Sequence, residues 1–326
     1  MKWITNKTVQ SLLHHSTFVL FAIVLTVFGL LSQSFFSFQN LINVLTQASS
    51  LGIIATGMTF VLLTAGIDLS VGSIMFLAGV ISSKMVVAGF PLWMAFSVVL
   101  AVGILFGLMN GFLVVRAKIV PFIVTLATFY MGRGLGLFLS ETRAINLPDS
   151  FLKIGSTQFF GIPFPIIAFV CVVVIGHLLL TKTVFGKQVY AVGHSTLKSK
   201  KAGIKVNGIL LKAYLICGLC ASIGGLVAIS QLGAVSPTFG LQSEFMAIAA
   251  AVLGGTSLFG GKGTVFPGTL VGVLLVQCIQ NGLVMVNADP YLYPLITGGV
   301  IFLVVLIDSL RHLQQQKLKR WGIHQK

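Results

Sequence analysis

The sequence is poor in charged residues, and especially in acidic ones. Only 8% of its 326 residues are Asp, Glu, Lys or Arg, and only six are acidic, whereas a soluble domain carries about 25% charged residues. Hydrophobic residues make up 56% of the chain, and the mean hydropathy is +1.02. No water-soluble fold could bury this much apolar surface. The composition therefore excludes a soluble enzyme or binding domain and predicts a polytopic membrane protein.

The sequence also lacks the short apolar–polar alternation of a transmembrane β-barrel. Its apolar runs are continuous and about 20 residues long, which is the length of a spanning helix. Residues 1–326 are predicted to form one all-α transmembrane domain, in which segment 38–50 lies at the interface or in the interior. About ten spans are expected, at 17–31, 51–65, 70–89, 92–114, 120–139, 165–181, 210–231, 245–254, 266–286 and 291–307.

The first apolar run, 17–31, follows a short basic segment and could be read as a signal peptide. No small-residue cleavage site follows it, because the chain continues as Ser32-Gln33-Ser34-Phe35-Phe36. We therefore expect a retained first helix.

Signatures of catalysis, metal binding and nucleotide binding are missing. The four cysteines lie inside apolar runs, and the pair Cys217 and Cys220 has no second pair or histidine cluster beside it, so it is predicted to pack rather than to bind zinc or do redox chemistry. Gly261-Lys262 is followed by Gly263 instead of Ser or Thr, and Thr256 stands where a P-loop needs its first glycine. We expect no catalytic residue, metal or cofactor, and no ATP site on this chain.

The few charges are distributed unevenly along the chain. If both termini are cytoplasmic, 17 of the 21 basic residues lie on the cytoplasmic side, in segments 1–16, 115–119, 182–212, 260–264 and 309–326. Four of the six acidic residues then lie outside, at Glu141, Asp149, Glu244 and Asp289. This is the pattern of the positive-inside rule. It also favours contact with anionic membrane lipid over nucleic acid as the reason for the net charge of +15.

Two polar, glycine-containing segments interrupt the apolar runs and predict discontinuous helices, near 66–72 and 254–264. Asp68 and Ser70 are residue types that cap helix N-termini, so we expect one of them to accept hydrogen bonds from the helix that follows. A carboxylate inside a membrane protein can also serve proton coupling. The candidate pathway positions are Gly66, Asp68, Ser70, Gly72, Thr125, Gly254, Gly255, Thr256 and Ser257.

Several of these motifs together resemble a known family. The motifs are Gly57-Met58-Thr59-Phe60-Val61, Gly66-Ile67-Asp68-Leu69-Ser70-Val71-Gly72, Pro121-Phe122-Ile123-Val124-Thr125-Leu126, Glu244-Phe245-Met246-Ala247-Ile248-Ala249-Ala250, and Leu253-Gly254-Gly255-Thr256-Ser257-Leu258 with Gly260-Gly261-Lys262-Gly263. As a set they are similar to the ribose-type sugar permeases of bacterial ABC importers. The resemblance covers roughly residues 40 to 308.

The resemblance implies the fold of the larger, ten-helix class of importer permeases, in the bacterial inner membrane. It implies three protein partners: an ABC ATP-binding subunit, a periplasmic solute-binding protein and a second permease chain, identical or different. Segment 185–206 resembles the family's coupling loop, with a short helix bracketed by Gly193 and Gly203 and capped by Ser195 or Thr196. The implied contacts with the ATPase are Gly193, His194, Ser195, Thr196, Leu197, Lys198, Ala202 and Gly203.

Two other functions are alternatives to an importer subunit. A stand-alone secondary transporter or channel would need ionisable residues in several helices, and the sequence has few. A membrane-embedded enzyme would need a catalytic constellation, and none is visible. The sequence does not name the solute.

Overall fold

The computed structural model describes residues 16–296 and the single positions 298, 299, 302, 306 and 309. The predicted basic tail apart from residue 309, seven of the 17 residues of the predicted tenth span and residues 1–15 lie outside the described residues. The helices are α1 Ser16–Leu31, α2 Phe38–Leu63, α3 Val71–Val87, α4 Leu92–Arg116, α5 Pro121–Ser140, α6 Asp149–Ser156, α7 Phe164–Lys182, α8 Val184–His194, α9 Thr196–Lys201, α10 Val206–Leu232, α11 Ser243–Leu253 and α12 Leu270–Met285, the last preceded by a π-helical turn at Val265–Thr269.

The predicted all-α fold is confirmed, with two small strand pairs added between helices. β1 (Ile145–Asn146) pairs antiparallel with β4 (Ala234–Val235), and β2 (Gln158–Phe159) with β3 (Ile162–Pro163). Within the described residues, six helices are long and apolar enough to cross a membrane, namely α2, α4, α5, α7, α10 and the Val265–Met285 unit; α1, α3 and α11 are shorter apolar helices. The number of ten spans stays a prediction.

One predicted boundary is wrong. Segment 38–50 is not a separate element, because Phe38–Leu63 is one continuous helix of 26 residues. Ser37 caps it by accepting a hydrogen bond from the Asn40 N–H. Its polar side chains are satisfied by a neighbouring helix: Asn40 exchanges two amide hydrogen bonds of 3.0 Å with Asn281 on α12. Polar groups paired in this way let a helix continue through an apolar bundle.

Helix α10 is the centre of the bundle and packs against α2, α3 and α4. Its approach to α4 depends on small residues: a Cβ added to Gly103 would lie 2.6 Å from the Gly218 carbonyl oxygen, and one added to Gly218 would lie 3.0 Å from the Gly107 nitrogen. Contacts of this kind are typical of membrane helices, which associate through close backbone packing. Cys217 and Cys220 are buried and free, and they pack against Gly57 of α2 as predicted for small core residues.

The two longest described helices, α2 and α10, are each followed by an irregular segment and then by a shorter apolar helix. Segment 64–70 follows α2 and leads into α3, and segment 233–242 follows α10 and leads into α11. The first turns of α3 and α11 meet, because a Cβ added to Gly72 would touch the Gly240 carbonyl and the Glu244 carboxylate. Two helix N-termini therefore come together in the interior of the bundle.

Candidate functional site

The first helix break, residues 64–70, turns on a left-handed alanine and a buried aspartate. Ala65 has φ +60°, so the chain reverses there, one residue before Gly66. Gly66 and Gly72 are needed for close approach instead of for unusual φ angles: a Cβ on Gly66 would lie 2.7 Å from the Tyr214 hydroxyl oxygen. The predicted polar break is present, but its glycines act through packing.

The predicted capping role of Asp68 and Ser70 is wrong in detail. Ser70 is the N-cap of α3 but makes no side-chain capping bond. Asp68 instead accepts hydrogen bonds from the backbone N–H and the hydroxyl of Ser70, at 2.9 and 2.6 Å. This is the local turn that aspartate forms with the residue two positions on. Asp68 therefore shapes the entry to α3 without capping it.

A chain of hydrogen bonds connects this break to two neighbouring helices. Thr128 on α5 donates to the Asn110 carbonyl oxygen on α4 at 2.8 Å, and the Asn110 amide donates to the Ser70 hydroxyl at 2.8 Å. Thr125, one turn before Thr128, donates to the Ile67 carbonyl at 3.3 Å. All of these side chains are buried. No feature of the sequence indicates that Asn110 and Thr128 take part in this hydrogen-bond chain, because each is a single polar residue in an apolar run.

The second break, residues 254–264, lies against the first. The Gly261 N–H donates to the Leu63 carbonyl at the end of α2, at 2.9 Å. Within the break, Gly255 has φ +89°, and the Ser257 N–H donates to the Lys262 carbonyl at 2.9 Å. Gly254 packs on the backbone at Gly268, and Thr256 is fully buried against Gly263. The two discontinuities predicted from the sequence therefore meet at one end of the bundle.

Helix α8 is seated on both breaks at once. A Cβ added to Gly193 would collide with the Leu63 carbonyl and lie 2.5 Å from the Gly261 nitrogen. The Tyr190 hydroxyl donates to the Gly263 carbonyl at 2.8 Å, and burial raises the pKa of this phenol, which keeps it protonated as a donor. The His194 ring packs on Gly261. These contacts bring together the predicted coupling loop and the ends of α2 and α11.

The predicted single helix between Gly193 and Gly203 is two helices. Gly193 lies inside α8, and the chain turns at Ser195, whose side chain caps α9 by accepting from the Lys198 N–H at 3.3 Å. α9 is only six residues long and ends before Gly203, which has φ +79° and open space around its Cβ position. The cap at Ser195 is confirmed, whereas the predicted nine-residue helix is wrong because Ser195 is extended, with φ −167° and ψ 110°.

The outer face of α9 is exposed and contains a large apolar residue. Leu197 is 64% exposed, and the exposed positions around it are Thr196, Lys198, Lys200, Lys201, Ala202 and Gly203. Leu197 is the large apolar residue of α9, and it lies among exposed lysines at this end of the bundle.

A third discontinuity, which the sequence analysis did not single out, is the segment that leads into α11. Arg133 on α5 lies over the Phe76 ring at 4.3 Å and donates to the carbonyls of Phe239 and Pro237. Glu244, in the first turn of α11, is 4% exposed and its carboxylate stands over Gly72. A buried arginine is expensive unless it is paired with carbonyls or a carboxylate. No sequence motif marks Arg133, and only the fold reveals its partners.

The described part of the chain contains no group of three His, Cys, Asp or Glu side chains that could hold a metal ion. Its polar groups instead hold interrupted helices together. Broken helices whose ends meet inside a bundle are a feature of membrane transporters, where they supply polar and movable parts. Fold and site therefore define a multi-pass helical membrane protein of the transporter class.

Comparison with known proteins gives the family. A family model for the permease component of the branched-chain amino acid transport system matches residues 40–305. The ribose import permease protein of Haemophilus influenzae is 37% identical over 303 residues, which cover 91% of this chain and 94% of the relative. The ribose import permease protein of Bacillus subtilis is 39% identical over 292 residues, covering 89% and 90%.

The D-allose transport system permease protein of Escherichia coli is 36% identical over 300 residues, covering 91% of both chains. No solved structure matches the chain. The chain belongs to this family of ABC transporter permeases, and the resemblance to its sugar permeases is confirmed.

Proposed function

We propose that this chain is the membrane-spanning subunit of an ATP-driven importer for a small sugar or sugar-like solute. The relatives are named for the import of ribose, D-allose and fructose, which supports a solute of this class. The chain would work with an ATP-binding subunit, a periplasmic solute-binding protein and a second permease chain. It would cross the bacterial inner membrane about ten times with both termini in the cytoplasm, and its exposed apolar side chains would face lipid.

The observation that carries this proposal is the position of α8 and α9. Helix α8 touches the end of α2 and the second break through the backbone of Gly193, and α9 exposes Leu197 on its outer face. A partner that binds α9 would therefore act on both breaks through one short, rigid connection.

This arrangement supports a mechanism of alternating access. Closure of the ATP-binding subunits would move α9, and α8 would transmit the movement to Leu63 and Gly261. Thr125 and Thr128 connect the first break to α5, and Arg133 connects α5 to the segment that leads into α11. A displacement at the end of the bundle that contains α8 and α9 would in this way reach the interior, where the first turns of α3 and α11 meet.

The test is a charge placed on the proposed docking leucine. Leu197→Asp should lower co-purification of the ATP-binding subunit and solute-stimulated ATP hydrolysis by about tenfold or more, because burying a leucine contributes about 1.5–3 kcal/mol. Asn207→Asp is the matched control, since Asn207 is an exposed polar residue in the first turn of α10 at the same end of the bundle, and it should leave both quantities unchanged. Full assembly and full stimulation in Leu197→Asp would show that α9 is not the docking element, and a stand-alone transporter would regain support.

A further inference from the structure

A polar cleft lies at the end of the bundle opposite α8 and α9, between α2, α6 and α10. Its volume is about 350 Å³, which is within the range of about 300–1,000 Å³ for small-molecule sites. We call it the amide cleft, after the side chains that line it: Asn43, Thr46, Gln47, Ser156, Ser230 and Gln231.

The residues that line the amide cleft are mostly polar, and none of them is charged. The lining consists of three amides and three hydroxyls, with Leu152 and Gly155 as its other members. An ion would find no counter-charge here, and an apolar molecule would leave the amides unpaired, which is unfavourable. A neutral molecule with several hydroxyl groups can pair with amides and hydroxyls while a C–H face lies against Leu152.

Three of the lining amides have hydrogen-bonding groups to spare. Gln47 accepts a bond from Gln277 at 2.8 Å, Asn43 accepts one from Gln39 at 3.2 Å, and Gln231 donates to the Thr46 carbonyl at 3.3 Å. Within the described part of the chain, the Asn43 and Gln47 amide nitrogens make no hydrogen bond, and neither does the Gln231 carbonyl oxygen. Two donors and one acceptor are thus held in place by a bond on their other end, which is the preorganisation that a binding site needs.

The wall opposite α2 is held in place by close packing. A Cβ added to Gly155 of α6 would collide with the Ser230 carbonyl oxygen on α10. Phe151, on the same short helix, is fully buried. Helix α6 is therefore packed tightly against α10, which sets the position of this wall of the cleft.

The position of Asn43 and Gln47 within a candidate membrane span also supports a binding site for a small polar molecule. α2 has a mean hydropathy of 1.4, the lowest of the six candidate spans. Asn43 and Gln47 lie one helical turn apart on its exposed side. Polar side chains in a spanning helix almost always face the bundle interior or a water-filled cavity, since exposure to lipid is costly.

We propose that the amide cleft binds a neutral, polyhydroxylated small molecule of pentose or hexose size. The assignment of this molecule to the transported class of solute rests on the proposed function. The site lies within one chain and away from the coupling helices, so its occupancy can be measured on the permease alone.

The experiment uses the full-length chain in lipid nanodiscs and measures binding by saturation-transfer NMR. The probes are D-ribose, D-allose and D-fructose, with D-ribose 5-phosphate as the charged comparison. Asn43→Leu removes one spare donor, and Asn207→Leu is the matched control, because Asn207 is also an exposed amide but lies at the opposite end. Gln231→Met is the second cleft variant in case Asn43→Leu does not fold, as judged by the midpoint of thermal unfolding.

We expect at least one neutral sugar to bind the native chain and Asn207→Leu equally. Each folded cleft variant should bind it about three- to tenfold more weakly, the effect of losing one hydrogen bond, and the phosphate should not compete. The proposal is overturned if no sugar binds at millimolar concentration, if the cleft variants bind as the control does, or if the phosphate competes equally. Absent binding with intact ATP-driven uptake would reject the cleft and leave the proposed function standing. If sugar binds the cleft but Leu197→Asp leaves assembly and ATP hydrolysis unchanged, the cleft is supported and the proposed docking of the ATP-binding subunit is rejected.

Discussion

Replacing Gly193 by alanine tests whether α8 has to touch both helix breaks. The new Cβ would collide with the Leu63 carbonyl oxygen, and it would lie 2.5 Å from the nitrogen and 3.0 Å from the Cα of Gly261. All three are backbone atoms, which cannot rotate aside as the end of a flexible side chain can. Helix α8 must therefore move away from one break or from both.

The expected cost comes from three contributions. Overpacking of this kind costs about 1–3 kcal/mol. The hydrogen bond from Gly261 to Leu63 lies at the same point, and its loss would add about 0.5–1.5 kcal/mol. Alanine is a better helix former than glycine, which returns up to about 1 kcal/mol. The net destabilisation should be about 0.5–3.5 kcal/mol, concentrated at the junction of the two breaks.

The assay compares Gly193→Ala with Gly208→Ala, a glycine of α10 near the same end with nothing within 4 Å of its Cβ position. Gly193→Ala should lower the midpoint of thermal unfolding and reduce solute-stimulated ATP hydrolysis in the assembled transporter. Gly208→Ala should leave both unchanged or raise the midpoint slightly. Equal behaviour of the two variants would refute the idea that α8 acts through its contact with the breaks.

Two further predictions concern the first break and the topology. Asp68→Asn should keep the midpoint of thermal unfolding close to that of the native chain, because an amide oxygen can still accept hydrogen bonds from Ser70. Asp68→Leu should lower the midpoint, since each unpaired buried donor costs about 1–3 kcal/mol. If both variants lower the midpoint equally, the negative charge of Asp68 is itself needed. In a Cys171→Ser background, Asp149→Cys should react with an impermeant thiol reagent added outside intact cells and Lys200→Cys should not. The reverse labelling would overturn the proposed orientation.

The sequence alone determined the class of the protein and where its helices are interrupted. Long apolar runs with few charges allow only a helical membrane protein, and the polar segments near Asp68 and Gly255 cannot continue a helix. Both conclusions rest on local physics, namely helix length, backbone freedom and the cost of a charge in lipid. The specific set of motifs over residues 40–308 was enough to recognise the family. The Ser195 cap was also predictable, because it depends on residues three positions apart.

Contacts between distant residues could not be read from the sequence. Segment 38–50 looked too polar to belong to a spanning helix, because the partner of Asn40 lies 241 residues away on α12. Asn110, Thr128 and Arg133 were single polar residues in apolar runs, and only the packing of α4 and α5 shows what they bind. The amide cleft likewise combines residues from α2, α6 and α10.

The candidate site also depends on contacts between residues that are far apart in the sequence. Sequence periodicity fixes which side of a helix is polar, but not which helix faces it. The meeting of Leu63, Gly193 and Gly261 at one point is set by how the helices pack, and small residues let three backbones approach closely there. The sequence thus determined that the helices break, and only the tertiary structure decided that the breaks touch each other and the loop predicted to bind a partner.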